Sequence, residues 1–166
     1  MRENDVILLI EDNPTDAMLV KAAFDKAGAA ARFFTLNDGE AAMAYFSGAE
    51  PYSDRTKYPL PQLLLLDLRM PRVSGLELLT WLRAQPYGAQ LPVIVLTESS
   101  YDKDIRDAYR LGAKTFLTKP FAPDDFSSAL KYTTDYWFHG DQLPASPPYI
   151  APPASGPSGG LPASSS

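Results

Sequence analysis

Five side chains sit where chemistry could happen: Glu11, Asp12, Asp67, Thr97 and Lys119. Glu11 and Asp12 follow the apolar run Val6 to Ile10, and Asp67 ends the leucine run Leu63 to Leu66. Thr97 follows Val93 to Leu96, and Lys119 stands just beyond Thr115 to Leu117. An apolar run of that length bounded by turn residues reads as a strand buried on both faces. Such strands form parallel α/β sheets, whose ligands bind outside the carboxyl ends of the strands. Asp67, followed by Leu68-Arg69-Met70-Pro71 and Gly75, has no packing reason to be there. Carboxylates at one rim are oxygen ligands for a hard divalent cation, and a hydroxyl and an ammonium beside them can offset an anionic group.

The strands alternate with stretches of helical period. Asn13-Pro14-Thr15-Asp16 offers a helix start, with Ala17, Val20 and Phe24 on one face and Gly28 closing the segment. Arg32 to Leu36 reads as a second strand, and Glu40 to Phe46 as a short helix after the Asp38-Gly39 turn. Residues 49–62, with Pro51, Pro59, Pro61, Tyr52 and Tyr58, read as a long, partly packed loop. Leu76, Leu79 and Leu82 mark a third helix stopped by Pro86 and Gly88. A fourth runs from Asp102 to Leu111, capped by Gly112, and a fifth from Pro123 to Phe138. The sum is an α/β fold of type (βα)5, with each helix a right-handed crossover onto a parallel sheet.

Composition narrows the functions. The 166 residues suit one domain, and 45% apolar content is ample for a single core. A net charge of −5, from 15 basic and 20 acidic residues, argues against a nucleic-acid-binding surface. Without cysteine there are no disulfides or thiolate metal sites. The first apolar run is too short and acid-flanked for a signal peptide and nothing approaches a membrane span, so a cytoplasmic protein is expected. Seven of the 16 prolines fall after Asp141 among Ser, Gly and Ala, so residues 1–140 are expected to form the domain and 141–166 a disordered tail.

Glu11-Asp12, the Asp67-Leu68-Arg69-Met70-Pro71 turn with Gly75, Thr97 and Lys119-Pro120-Phe121 together resemble a response-regulator receiver domain of two-component signalling. The order and approximate spacing match over about residues 5 to 138. The long loop before Asp67 and the lone-domain layout resemble the stand-alone regulators that serve bacterial phytochromes. The resemblance implies a flavodoxin-like, doubly wound five-stranded sheet of order 2-1-3-4-5, with strands 1 and 3 at the topological switch point. It also implies a cis Lys119–Pro120 bond.

Carried over by motif, Asp67 is the phosphoacceptor, taking a phosphoryl group from a histidine kinase. Asp12, Asp67 and the backbone carbonyl of Arg69 would bind Mg²⁺, with Glu11 acting through a water. Thr97 would donate to one phosphoryl oxygen, Lys119 would pair with another, and Phe116 occupies the place of the mobile switch aromatic. Such a protein is a signalling phosphoacceptor, at most catalysing its own phosphorylation and dephosphorylation.

Taken singly, Asp12 is a helix-start residue and Asp67 a turn former; in register they read as a site. Arg69 and Glu98 depart from the smaller or uncharged residues of many receivers, and are expected to pair across the mouth of the site. An exposed pair contributes only about 0–1 kcal/mol, so its effect would be kinetic. His139, the single histidine, stands where a cation suits a helix end. On the fifth helix Phe126, Leu130, Thr133 and Trp137 form a core stripe that Tyr132, Tyr136 and Phe138 widen. That excess predicts a homodimer through the face of helix four, strand five and helix five. Other readings are a phosphorelay shuttle to a histidine phosphotransfer protein and a degenerate receiver acting as a constitutive binding module. A dehalogenase-like phosphatase needs Asp-x-Asp, and Arg69 stands at the second acid's place.

Overall fold

The computed structural model describes residues 2–28, 30–98 and 102–119, then 122, 124, 125, 127–129 and 131. In chain order the elements are β1 (Val6–Ile10), α1 (Pro14–Lys26), β2 (Arg32–Leu36), α2 (Gly39–Ser47), β3 (Leu63–Asp67), α3 (Gly75–Arg83), β4 (Val93–Thr97), α4 (Asp102–Arg110) and β5 (Thr115–Thr118). Residues 124, 125, 127–129 and 131 are helical, within the span expected of a fifth helix. The Lys119–Pro120 bond, the aromatic stripe with the dimer face it would complete, His139 and the 141–166 tail lie outside the described residues.

All five strands are parallel, in the order β2-β1-β3-β4-β5. Alternation sends Leu8, Ile10, Leu64, Leu66, Val93, Val95 and Phe116 into one cluster with Ala42, Tyr45 and Phe46 of α2, Leu78, Leu79 and Leu82 of α3 and Ala108 of α4. Ile7, Leu9, Leu63, Leu65, Ile94, Leu96 and Leu117 face the other way, onto Val20, Ala23 and Phe24 of α1 and Ala129. Burial on both faces is why β1, β3 and β4 are unbroken apolar runs. Each fully buried Leu or Ile contributes roughly 1.5–3 kcal/mol, so this core holds the strand ends still. Among the described residues no helix is long and apolar enough to cross a membrane.

The helices start where local chemistry dictates. Asn13 caps α1, its side-chain oxygen accepting from the amides of Thr15 (2.9 Å) and Asp16 (3.1 Å), with Pro14 in the first turn. Asp38 caps α2, and Ser74 with Glu77 forms a reciprocal capping box on α3. On α3 the fully buried leucines are Leu78, Leu79 and Leu82, with Leu76 only partly buried. The expected Leu76-Leu79-Leu82 stripe is thus rotated by a fraction of a turn, because 78, 79 and 82 share the sheet-facing side.

The 49–62 loop is packed, as its tyrosines suggested. The rings of Tyr52 and Tyr58 lie 5.3 and 6.1 Å from that of Tyr45, whose hydroxyl donates to the Pro59 carbonyl at 2.7 Å. Arg55 donates to the carbonyls of Tyr45 (2.7 Å), Phe46 (2.9 Å) and Tyr58 (3.2 Å). It thereby reinforces the end of α2, where the Tyr45 carbonyl also accepts from the Gly48 amide at 3.2 Å.

Candidate functional site

Strand register sets the site. Ile10 pairs with Leu66 and Asp67 with Leu96, so the residues after β1 stand level with the ends of β3 and β4. Carboxylate oxygens of Glu11, Asp12 and Asp67 all lie within 4.8 Å of one another. Glu11 and Asp67 are buried and Asp12 is exposed. Asp67 Oδ1 accepts from the Arg69 amide at 3.1 Å, while Glu11 Oε1 accepts from that of Asn13 at 3.2 Å. Gly75 is required beside them. A Cβ there would stand 2.3 Å from the Asp67 carbonyl oxygen and 2.6 Å from the Leu68 Cα, so the turn after β3 closes only around a bare backbone.

Lys119 reaches in from the end of β5. Its ammonium donates to Glu11 Oε2 and, at 3.2 Å, to Asp16 Oδ2, and lies 3.8 Å from Asp67 Oδ2. Burial pushes the Asp67 carboxyl up to about 7; the Lys119 charge and the Arg69 amide pull it down, and the neighbouring Glu11 raises it further. For Lys119 burial acts to lower the pKa, but the Glu11 hydrogen bond and the Asp67 charge, with lesser help from Asp16, outweigh it and raise the value. An all-oxygen donor set this crowded with negative charge suits a hard divalent cation.

Thr97 is fully buried at the end of β4, level with Thr118 of β5, and its carbonyl accepts from the Lys119 amide at 2.7 Å. Phe116 is 7% exposed, with its ring edge-on to that of Tyr109 on α4 at 6.1 Å. The side chains of Glu11, Asp12, Asp67 and Lys119 therefore converge, with Thr97 at the end of the neighbouring strand. The matching family is the response regulator receiver domain, over residues 7–131. The chain belongs to that family.

Relatives of this receiver agree. It is 37% identical to the probable methanogenesis regulatory protein FilR2 of Methanothrix harundinacea, over 84% of this chain and 87% of FilR2. It is 33% identical to the response regulator Rcp1 of Synechocystis sp., over 84% of this chain and 93% of Rcp1. The solved Mn²⁺-bound form of Rcp1 superposes with a TM-score of 0.68, over 85% of this chain and 99% of that one. The phosphorylated cyanobacterial phytochrome response regulator RcpA superposes at 0.70, with 30% identity over 86% and 99% of the two chains. The receiver thus belongs to two-component signalling, in a family of signalling phosphoacceptor domains that interact with histidine kinases.

Three pairings in this receiver differ from what the sequence led one to expect or go beyond it. Arg69 meets Asp104 of α4, at 3.8 Å, and not Glu98, which stands exposed beyond β4. The α4 helix brings its first turn over the β3–α3 turn, and an acid on that helix intercepts the guanidinium. Asp16 was read only as an acid at a helix start, yet it holds Lys119. Asp12 precedes the Asn13 cap, so no helical spacing relates it to Asp16, and local sequence carries no signal for a pairing that spans 103 residues. A third pairing was also unread: Arg72, at φ 66°, reaches Asp38 (3.3 Å) and Glu40 (3.8 Å) and so ties the β3–α3 turn to the start of α2.

Proposed function

We propose that this receiver accepts a phosphoryl group from a histidine kinase onto Asp67 and signals by changing a protein-interaction surface. The observation that carries the reading is the convergence of Glu11, Asp12 and Asp67 oxygens within 4.8 Å, with the Lys119 ammonium 3.8 Å from Asp67. A carboxylate oxygen of Asp67 bonds to phosphorus as the P–N bond of the phosphohistidine breaks and the imidazole leaves. Asp12, Asp67 and the Arg69 carbonyl would hold Mg²⁺, with Glu11 acting through a water. When bound, that ion supplies positive charge that offsets charge on the transferring group. Lys119 offsets the charge from the β5 side, and Thr97 donates its hydroxyl to a phosphoryl oxygen. Thr97 drawn toward Asp67 leaves space for Phe116, whose ring already packs against α4 through Tyr109. Arg69, with Asp104, and Glu98 modulate access to the mouth.

A bacteriophytochrome kinase is the partner favoured by the likeness to RcpA and Rcp1. A homodimer through α4, β5 and the fifth helix belongs to the same proposal, and light scattering with and without a phosphate mimic reads it directly. The deciding experiment is intact mass after incubation with acetyl phosphate and Mg²⁺. The wild type is expected to gain one metal-dependent phosphoryl adduct that Asp67→Asn lacks. An adduct that persists in Asp67→Asn would refute the assignment.

A further inference from the structure

Lys119 meets three carboxylates, and two of them belong to the cluster already described. Glu11 and Asp67 share that cluster with Asp12; Asp16 does not join it. Asp16 instead accepts from Lys119 Nζ at 3.2 Å, across 103 residues of sequence, with its side chain 26% exposed. An acid at the third position of a helix is explained by the helix's positive end. That explanation does not require it to reach an ammonium on another strand. The backbone of Asp16 is also held in place, because its amide donates to the Asn13 side chain at 3.1 Å.

We infer that Asp16 is a positioning residue that slows phosphoryl uptake by sharing the Lys119 ammonium with Glu11 and holding it on the α1 side of Asp67. The inference rests on Asp67 being the phosphoacceptor. An ammonium has three N–H donors and no acceptor. Two of them are committed to Glu11 and Asp16, and Asp67 lies beyond hydrogen-bond distance at 3.8 Å. A phosphoryl group on Asp67 adds negative charge there and draws the ammonium across, against the pull of Asp16. The donor is itself an anion and meets the Asp16 charge on approach. Both effects oppose uptake. In the step itself an Asp67 oxygen bonds to phosphorus while the P–O bond of acetyl phosphate breaks, and acetate leaves with the electron pair. Lys119 keeps its proton throughout.

The test compares wild type, Asp16→Asn, Asp16→Glu and Asp25→Asn in acetyl phosphate labelling read by intact mass. Asp25 lies on the same helix and pairs with Lys21, so it controls for net charge. Asp16→Asn is expected to label about two- to fivefold faster, with the gain shrinking as salt rises. Asp16→Glu, which keeps the charge, and Asp25→Asn should stay near the wild-type rate. In protein without added metal, the Lys119 ζ-ammonium resonance should move in Asp16→Asn and not in Asp25→Asn. Equal or slower labelling by Asp16→Asn, or an unmoved Lys119 resonance, overturns the inference. A lowered Tm with wild-type labelling would leave Asp16 as a helix-end acid only. No label on the wild type would overturn the phosphoacceptor reading and this inference with it, whereas a labelled wild type matched by Asp16→Asn overturns the inference alone.

Discussion

Buried polar groups in this receiver are met by partners to different degrees, and among the described residues the buried Thr118 hydroxyl oxygen has none. Glu11 is engaged on both oxygens, by the Asn13 amide and by Lys119. Asp67 is less fully compensated, and burial holds its carboxyl well above the ordinary range. Tyr45 is the neutral counterpart. It is fully buried, and burial pushes its hydroxyl from 10.0 up to about 12, with Arg55 and Arg32 lowering it and Tyr58 and Tyr52 raising it slightly. In the unfolded chain this tyrosine ionises near 10, while the folded protein keeps its proton to about 12. Its contribution is therefore fully present below pH 10 and is lost as pH rises through 12, a change of about 2–3 kcal/mol. Denaturant unfolding at a series of alkaline pH values should show a steeper loss in wild type than in Tyr45→Phe. Parallel profiles would contradict this account.

Turns and caps carry the site from the helices to the strand ends. The β3–α3 turn is pinned by Gly75 against Asp67 and Leu68, by the Ser74–Glu77 box and by Arg72 reaching across to α2. Gly75→Ala puts a methyl carbon into backbone atoms that cannot yield as a flexible side chain would. It should cost about 1–3 kcal/mol by forcing the turn apart. Because the displaced atoms include the Asp67 carbonyl, labelling by acetyl phosphate should also slow. Unchanged denaturation and labelling together would show that the turn tolerates a Cβ. At the other end of α3, Arg83 donates to the carbonyls of Leu111 (2.6 Å), Gly88 (2.7 Å), Leu91 (2.8 Å) and Gly112 (3.1 Å). One planar fork thus fastens the approaches to β4 and β5, which a point-charge lysine could not do.

Across the molecule, a two-faced apolar core keeps a charged rim open at one end of the sheet. That arrangement links cation binding to folding. A cation that binds the assembled carboxylates and not the unfolded chain adds about 2.7 kcal/mol of stability at 100 times its Kd. Thermal melts should therefore shift upward by several degrees on adding Mg²⁺ and return with EDTA. Asp12→Ala, which removes the exposed carboxylate of the trio, should weaken the shift. A wild-type Tm indifferent to Mg²⁺ would count against the cation site.

The strands Val6–Ile10, Arg32–Leu36 and Leu63–Asp67 were legible to the residue, as was the start of α1, because strand burial and helix capping are local rules written in neighbouring residues. The α2 helix begins at Gly39, one residue before the expected Glu40. The rim was legible for the same reason: a polar side chain ending a buried strand has one place to go. Partners were not. That Lys119 engages Asp16, that Arg69 meets Asp104 and not Glu98, that α3 buries Leu78 before Leu76 and that Arg55 caps α2 all depend on how elements distant in sequence are set against each other. A long charged side chain has many acids or carbonyls within its contour length. Its choice is made by a few ångströms of helix placement, which packing determines.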